Sequence, residues 1–157
     1  KLDDNIEIHI IGGLEKKIKI WKNKIKRKNI YFYGYISHKE VSKYINSLDV
    51  CLLPNQKIVL AHGSDLSNIT LNISDFTSPL KLFEYMSHKK PIIASDLPVI
   101  REVLNERNSI LVKSDDIDLW IRAITKLKDL KNREIISSQA LDDFHSYCWR
   151  NRALLVI

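Results

Sequence analysis

Glycine and proline are scarce in this chain of 157 residues, at four each, and no tract of biased composition runs beyond a few residues. That leaves neither a disordered linker nor a repeat array to be read from the sequence. Long apolar runs are missing too. No stretch of about eighteen apolar residues occurs, and the first residues lack the apolar centre of a signal peptide, so neither a membrane span nor an export signal is expected. The expected compartment is the cytoplasm. Cysteine is limited to Cys51 and Cys148, far apart in the chain. Both read as reduced thiols, and no His or Cys cluster has the spacing of a zinc site. His62 has no metal partner at ligand spacing, and no metal or cofactor is expected. Asn68 and Asn72 open glycosylation-type triplets that, without a secretory signal, read as chance matches.

Apolar residues are plentiful, at 45% of the chain. A chain of this length can enclose one substantial core, so a single domain over 1–157 is expected. The net charge is +6 and the pI near 9.3. Much of the excess is local: from Glu15 to Lys28 there are seven lysines and Arg27 against the single acid Glu15. Leu14, Ile18, Trp21 and Ile25 recur at spacings of four, three and four, which predicts a basic amphipathic helix. Three readings stand beside one another: the solvated face of a core-packed helix, a surface for an anionic membrane over 14–28, and nucleic acid. The last ranks third and is not expected, because no aromatic-interleaved basic strand accompanies the charge.

Short apolar runs alternate with amphipathic segments along the chain. Strands are predicted at Ile6 to Ile11, Ile30 to Tyr33, Val50 to Leu53, Pro91 to Ser95 and Ile110 to Val112. Helices are predicted after Leu14, from Ser37 to about Ser47, from Pro79, and from about Asp116 to Lys128. Ser37 and Glu40 have the spacing of a capping box. This rhythm predicts an α/β fold with a doubly wound, Rossmann-like parallel sheet, in which ligands bind beyond the carboxyl ends of the strands. The loops at Gly12-Gly13, Gly34 to His38, after Pro54, Ser78 to Lys81 and Ser95-Asp96 all fall at that end. Gln56 to Phe76 is long for a loop, and a small hairpin over the site mouth or a mobile lid is expected there.

Thr77 to Leu104, reading TSPLKLFEYMSHKKPIIASDLPVIREVL, is the most informative stretch. Ser78 is a good N-cap, and Pro79 suits the first helical position. The following free amides, at Leu80 and Lys81, would carry a partial positive charge of roughly half an electron and can hold a phosphate. Glu84 lies one turn deeper, where a carboxylate can reach a ribose diol. Asp96 and Arg101 read as a helix start and a structural charge.

The order SPLK, FEYM, PIIASDLP and REVL resembles the donor-binding motif of retaining glycosyltransferases of the GT-B fold, family 4 (glycosyl transferases group 1). The resemblance implies the C-terminal, donor-binding half of such an enzyme. It places Glu84 at the donor ribose, the Leu80 and Lys81 amides at the diphosphate, and Ile36, Ser37 and His38 in the loop that holds the base. Gly12 and Gly13 are candidates for close approach to a phosphate. Phe76 stands where the family's first motif glutamate contacts the transferred sugar, with Asp75 beside it. The resemblance further implies a missing first strand-helix unit and a missing N-terminal acceptor domain, so that this chain alone is expected to be inactive.

The expected function is transfer of a sugar from a nucleotide diphosphate donor to a polysaccharide or glycolipid acceptor, without a divalent metal, at the inner face of the membrane. The alternatives are a nucleotide-sugar 2-epimerase, and a non-catalytic nucleotide-binding or membrane-surface module.

Overall fold

The computed structural model describes residues 2–57, 80–147 and 151. The expected hairpin or lid, Ser78, Pro79, Phe76 and Cys148 lie outside them. The chain divides into two compact units, Lys1–Tyr44 and Ile45–Ile157. Among the described residues the strands pair in parallel, in a two-stranded sheet within the first unit and a three-stranded sheet within the second. The α/β class and the parallel strands follow the sequence reading, and the pairing falls into these two sheets.

The first unit is a β-α-β crossover. β1 (Ile8–Ile11) leads into α1 (Glu15–Lys24) and then β2 (Ile30–Gly34), which runs parallel to β1. Ile8, His9 and Ile10 face Ile30, Tyr31 and Phe32 in register, after which the pairing slips by one residue so that Ile11 meets Gly34. On one face the His9 ring stacks beside Tyr31 and Tyr33, with centroids 5.0 and 5.7 Å away. The apolar stripe expected on α1 is only partly covered. Ile18 and Ile25 are half-buried, whereas Leu14 is 70% and Trp21 51% exposed, and no residue of α1 is fully buried. The four positions share a side of the helix, yet the surface beneath is too narrow to cover them all.

α2 (His38–Ser47) follows, and the division between the units falls inside it. Its start differs from the expected capping box. The Ser37 hydroxyl donates to the Glu40 carboxylate at 2.8 Å, so the two side chains bond each other.

In the second unit β3 (Cys51–Leu53), β4 (Ile92–Ser95) and β5 (Ile110–Val112) form the sheet in that order, with β4 in the centre. Every residue of β4 is buried. That is the reason Ile92, Ile93 and Ala94 are apolar in succession: helices cover both faces of a central parallel strand. Ile92 and Ala94 point to a cluster with Leu82 and Met86 of α3 (Leu80–Ser87), Ile100 of α4 (Pro98–Arg101) and Ala140 of α6 (Leu130–Phe144). Ile93 points the other way, to Val112, to Ala123 of α5 (Ile117–Lys126), and to Leu127 and Ile136. Leu82 and Met86 sit four apart on α3, so one helical face supplies both.

Side-chain caps set the last two helices. The Asp116 carboxylate accepts from the Leu119 amide at 3.0 Å, and Asp129 accepts from Lys131 at 2.7 Å. The helix start read at Asp96 corresponds to α4, which opens one residue later than expected with Leu97 as its N-cap, whereas α6 is absent from the sequence reading. α6 is fastened to the loop before β5 by Asn108, which is fully enclosed. Its amide donates to Asp143 at 2.7 Å and to the Val103 carbonyl at 3.2 Å, while its oxygen accepts from the Asn105 amide at 2.8 Å.

Two outcomes follow from this packing. Asn108→Ala leaves the Asn105 amide and the Asp143 carboxylate without their partner, and a loss of about 1–3 kcal/mol in stability is expected from denaturant unfolding. Cys51 is 2% exposed, and burial pushes its thiol up to about 12, against the opposing charge of Lys90. In a Cys148→Ser background it should resist a thiol reagent until denaturant is added; labelling at native conditions would contradict the burial.

Candidate functional site

The site is built from α3 outward. Because β3 and β4 are parallel neighbours and α3 connects them, the helix runs back along the sheet and its N-terminal end lies towards their carboxyl ends. In the first turn the backbone N–H groups of Leu80 and Lys81 have no acceptor inside the helix. Leu80 is 76% exposed and Lys81 is exposed, whereas Leu82 is enclosed. The helix is thus held by its buried side with its opening turn facing outward.

The other end of α3 is tightly closed. Lys89 takes a left-handed conformation, at φ +50°, where glycine is more usual. The Lys90 amide reaches back to the Tyr85 carbonyl at 3.0 Å, and the Lys89 amide to Met86 at 3.0 Å, which is the hydrogen-bond pair of a Schellman end. The Lys90 ammonium then donates to the Asn46 and Leu48 carbonyls, both at 2.8 Å, where α2 ends. With its far end pinned and Leu82 and Met86 in the core, α3 cannot slide along its axis, and the position of its first turn is fixed.

Glu84 lies one turn inside that end and is half-buried. Its backbone carbonyl accepts from the Ser87 hydroxyl and from His88 Nδ1, each at 2.8 Å. Among the described residues its carboxylate has no hydrogen-bond or ion-pair partner. Its neighbours steady the helix on both sides: Phe83 tilts against the Tyr147 ring at 5.5 Å, and burial raises the Tyr85 hydroxyl to about 12. A half-buried acceptor-only group on a rigid helix, one turn from free amides, can bind a pair of hydroxyls while the amides hold an anion.

β4 ends at the same edge of the sheet. Ser95 is fully buried, and its hydroxyl is without a hydrogen-bond partner among the described residues. Asp96, the next residue, is gripped by Arg101, whose Nε and Nη2 donate to its two carboxylate oxygens while Nη1 donates to Glu106 at 2.9 Å. That pairing holds the Asp96 carboxyl below its ordinary value. Asp96 and Arg101 therefore serve structure, in keeping with the sequence reading, although the α4 N-cap is Leu97 and the helix opens with Pro98.

The remaining candidates sit in the first unit. Gly12 and Gly13 close β1 with φ of +100° and +93°, and Gly34 closes β2 with φ +75°. A side chain would fit in space at Gly12, so the left-handed backbone is what demands glycine there. The Gly12 amide donates to the Gly34 carbonyl at 2.6 Å, tying the two loops together. That amide is therefore engaged. Ile36 and Ser37 are half-buried and His38 is exposed, all three at the start of α2. Leu80, Lys81 and Glu84 thus share one helix of the second unit, while Gly12, Gly13, Ile36, Ser37 and His38 share the carboxyl ends of β1 and β2.

Sequence reasoning missed the role of Gly34 in holding Gly12. A lone glycine closing a strand, with a glycine pair closing the previous one, was the available signal.

The family model for glycosyl transferases group 1 matches residues 1–129. A comparison with curated proteins gives no match. Among solved structures, a sucrose-phosphate synthase from Thermosynechococcus elongatus is 18% identical with a TM-score of 0.71, covering 96% of this chain and 36% of that one. The Anabaena protein HepE, solved in complex with UDP, is 14% identical with a TM-score of 0.73, covering 98% and 41%. The C-terminal domain of a glycosyl transferase group 1 family protein (LpcC) from Francisella tularensis is 19% identical with a TM-score of 0.56, covering 84% and 60%. At such identities the likeness is one of fold, that of Rossmann-like C-terminal domains of GT-B glycosyltransferases. The chain spans less than two thirds of the length of each.

The Asp96–Arg101 pair should leave a pH signature. A carboxyl whose value is lowered in the folded state adds stability above its unfolded value, near 3.8, and loses it as pH falls through the folded one. Arg101→Met is therefore expected to lower stability at pH 7 by a modest amount, since the pair is partly exposed. Urea titrations of both proteins should converge as pH falls through the lowered Asp96 and Glu106 values; a gap that persists once both carboxyls are protonated would assign the loss to packing instead.

Proposed function

This chain belongs to the glycosyl transferases of group 1, and from that premise we propose that it forms the donor-binding part of a retaining enzyme. The enzyme moves a sugar from a nucleotide diphosphate donor to a polysaccharide or glycolipid acceptor. The observation that carries the reading is the rigid seating of α3, with its opening turn exposed and Glu84 half-buried one turn behind. In this reading the Glu84 carboxylate accepts from the donor ribose hydroxyls. The Leu80 and Lys81 amides hold the diphosphate, with Ser78 and Pro79 shaping the helix start. Gly12 and Gly13 lie along the phosphates, and Ile36, Ser37 and His38 flank the base. UDP, present in the HepE structure, is the first nucleotide to try.

The chemistry required of the protein is electrostatic. As the glycosidic bond to the diphosphate breaks, negative charge grows on the leaving phosphate. Fixed N–H donors aimed at that charge are worth roughly 3 kcal/mol each. A helix end with its dipole adds to them without reorganising. The reaction proceeds on this account with no divalent metal. The acceptor is bound by an N-terminal domain, and the enzyme works in the cytoplasm, peripheral to the inner face of the membrane.

Calorimetric titration of the chain with UDP, GDP and ADP, beside Glu84→Ala with an unchanged melting temperature, tests the reading. One nucleotide should bind, and the variant should bind it about 10- to 100-fold more weakly, as expected for loss of charged hydrogen bonds to a diol. Equal affinity of the two proteins would remove Glu84 from the site.

A further inference from the structure

We infer that the outer flank of α1 is an adsorption surface for an anionic phospholipid bilayer. The inference deepens the function proposed above and rests on its peripheral-membrane part; it is carried by the geometry of α1.

At 100° per residue, Ile18 marks the half-buried line of the helix. Leu14 and Trp21 lie roughly 40–60° to one side of it, Lys17 and Lys24 roughly 100–120°, and Ile20 roughly 160° on the same side. The exposures agree with that placement: Leu14 is 70%, Ile20 52% and Trp21 51% exposed, and both lysines are exposed. One flank therefore presents three large apolar side chains interleaved with two ammonium groups. The Lys24 ammonium lies over the Trp21 ring, 5.5 Å from its centre.

The only acid of the helix, Glu15, projects from the opposite flank, where it lies 3.9 Å from Lys19. Lys26 and Lys28, directly after the helix, are exposed and extend the basic tract, whereas Arg27 is engaged by Asp4.

The mixture selects the partner. An apolar protein face would have to strip water from Lys17 and Lys24 without offering them counter-charge. A nucleic-acid backbone would satisfy the lysines and leave Leu14 and Ile20 in water. The headgroup region of an anionic bilayer accepts both kinds of group: apolar side chains enter the acyl boundary, the indole sits at the interface, and lysine stems bend so that their ammonium groups reach phosphate level. Each lysine near such a surface strengthens partition by about fivefold. No helix of the described residues is long and apolar enough to cross a membrane, so the contact made by α1 is one of adsorption.

The test is co-sedimentation of the full chain with vesicles of phosphatidylcholine alone or mixed with phosphatidylglycerol. Binding is expected only to the mixed vesicles and should fall as salt rises. Lys17→Glu with Lys24→Glu should weaken it by roughly 25-fold or more. Leu14→Ser with Trp21→Ser should also weaken it and remove the blue shift of tryptophan emission on binding. All four substitutions are at exposed positions, and unchanged circular dichroism and melting temperature confirm the fold.

The inference is overturned if the mixed vesicles bind no better than phosphatidylcholine, or if both double variants bind as the parent does. It is likewise overturned if ultracentrifugation shows copies associating through this flank, with the association lost in Leu14→Ser/Trp21→Ser. A parallel UDP titration keeps the two proposals apart. Loss of vesicle binding with UDP binding intact removes the surface alone, and the reverse pattern removes the donor site alone.

Discussion

The second unit depends on enclosing β4 from both sides. Four consecutive residues, Ile92 to Ser95, have no solvent exposure, so the strand cannot exist without α3, α4 and α6 over one face and α5 over the other. The part of the proposed site that this unit carries, on α3, inherits its position from that enclosure. Leu82 and Met86 anchor α3 because Ile92 and Ala94 lie beneath them, and the residues following β4 emerge where the cover stops. The site is thus a by-product of core packing at the sheet edge, which leaves the loops free to supply chemistry.

The first unit is organised differently. It has two strands, the first part of α2, and α1, which buries none of its residues fully. Its definition comes more from polar and backbone links than from apolar depth. The Gly12 amide meets the Gly34 carbonyl, Asn29 donates to the Ile6 carbonyl at 2.7 Å, and Tyr31 donates to Glu7 at 3.2 Å. Charge is treated differently in the two units: the lysines of α1 are all exposed, with only Lys19 near an acid, while Arg101 is committed to Asp96 and Glu106.

Much of this was legible in the sequence, for identifiable reasons. The run from Pro91 to Ser95 reads as a central strand because both faces need apolar side chains, and Asp116 announces α5 as a cap. The helix that carries Glu84 was legible because the signals for it are local in the sequence. α6 was not. Its sequence mixes Ser137 and Gln139 among apolar residues, and what makes it a core element is that Ile136 joins the cluster around Ile93 and Ala140 the cluster around Ala94, both on a strand distant in the chain. The extent of burial along α1 was hidden for the same reason. Spacing identifies which residues share a side of a helix, but how wide a surface lies beneath them is a property of the fold. The bond from Gly12 to Gly34 depends on a one-residue slip in register between separated strands, and no local pattern encodes that.

α6 has a consequence in time as well as in space. It places Ile136 in one core cluster and Ala140 in the other, and it carries Asp143, the partner that Asn108 needs. During synthesis β3, β4 and β5 therefore leave the ribosome before the helix that completes their cover. Through that interval the apolar side of β4 that faces Ala140 has only α3 and α4 to shelter it. Sticking to other nascent chains or to a chaperone is a hazard of such an open face, and the second unit can complete its native core only after residue 144 has emerged.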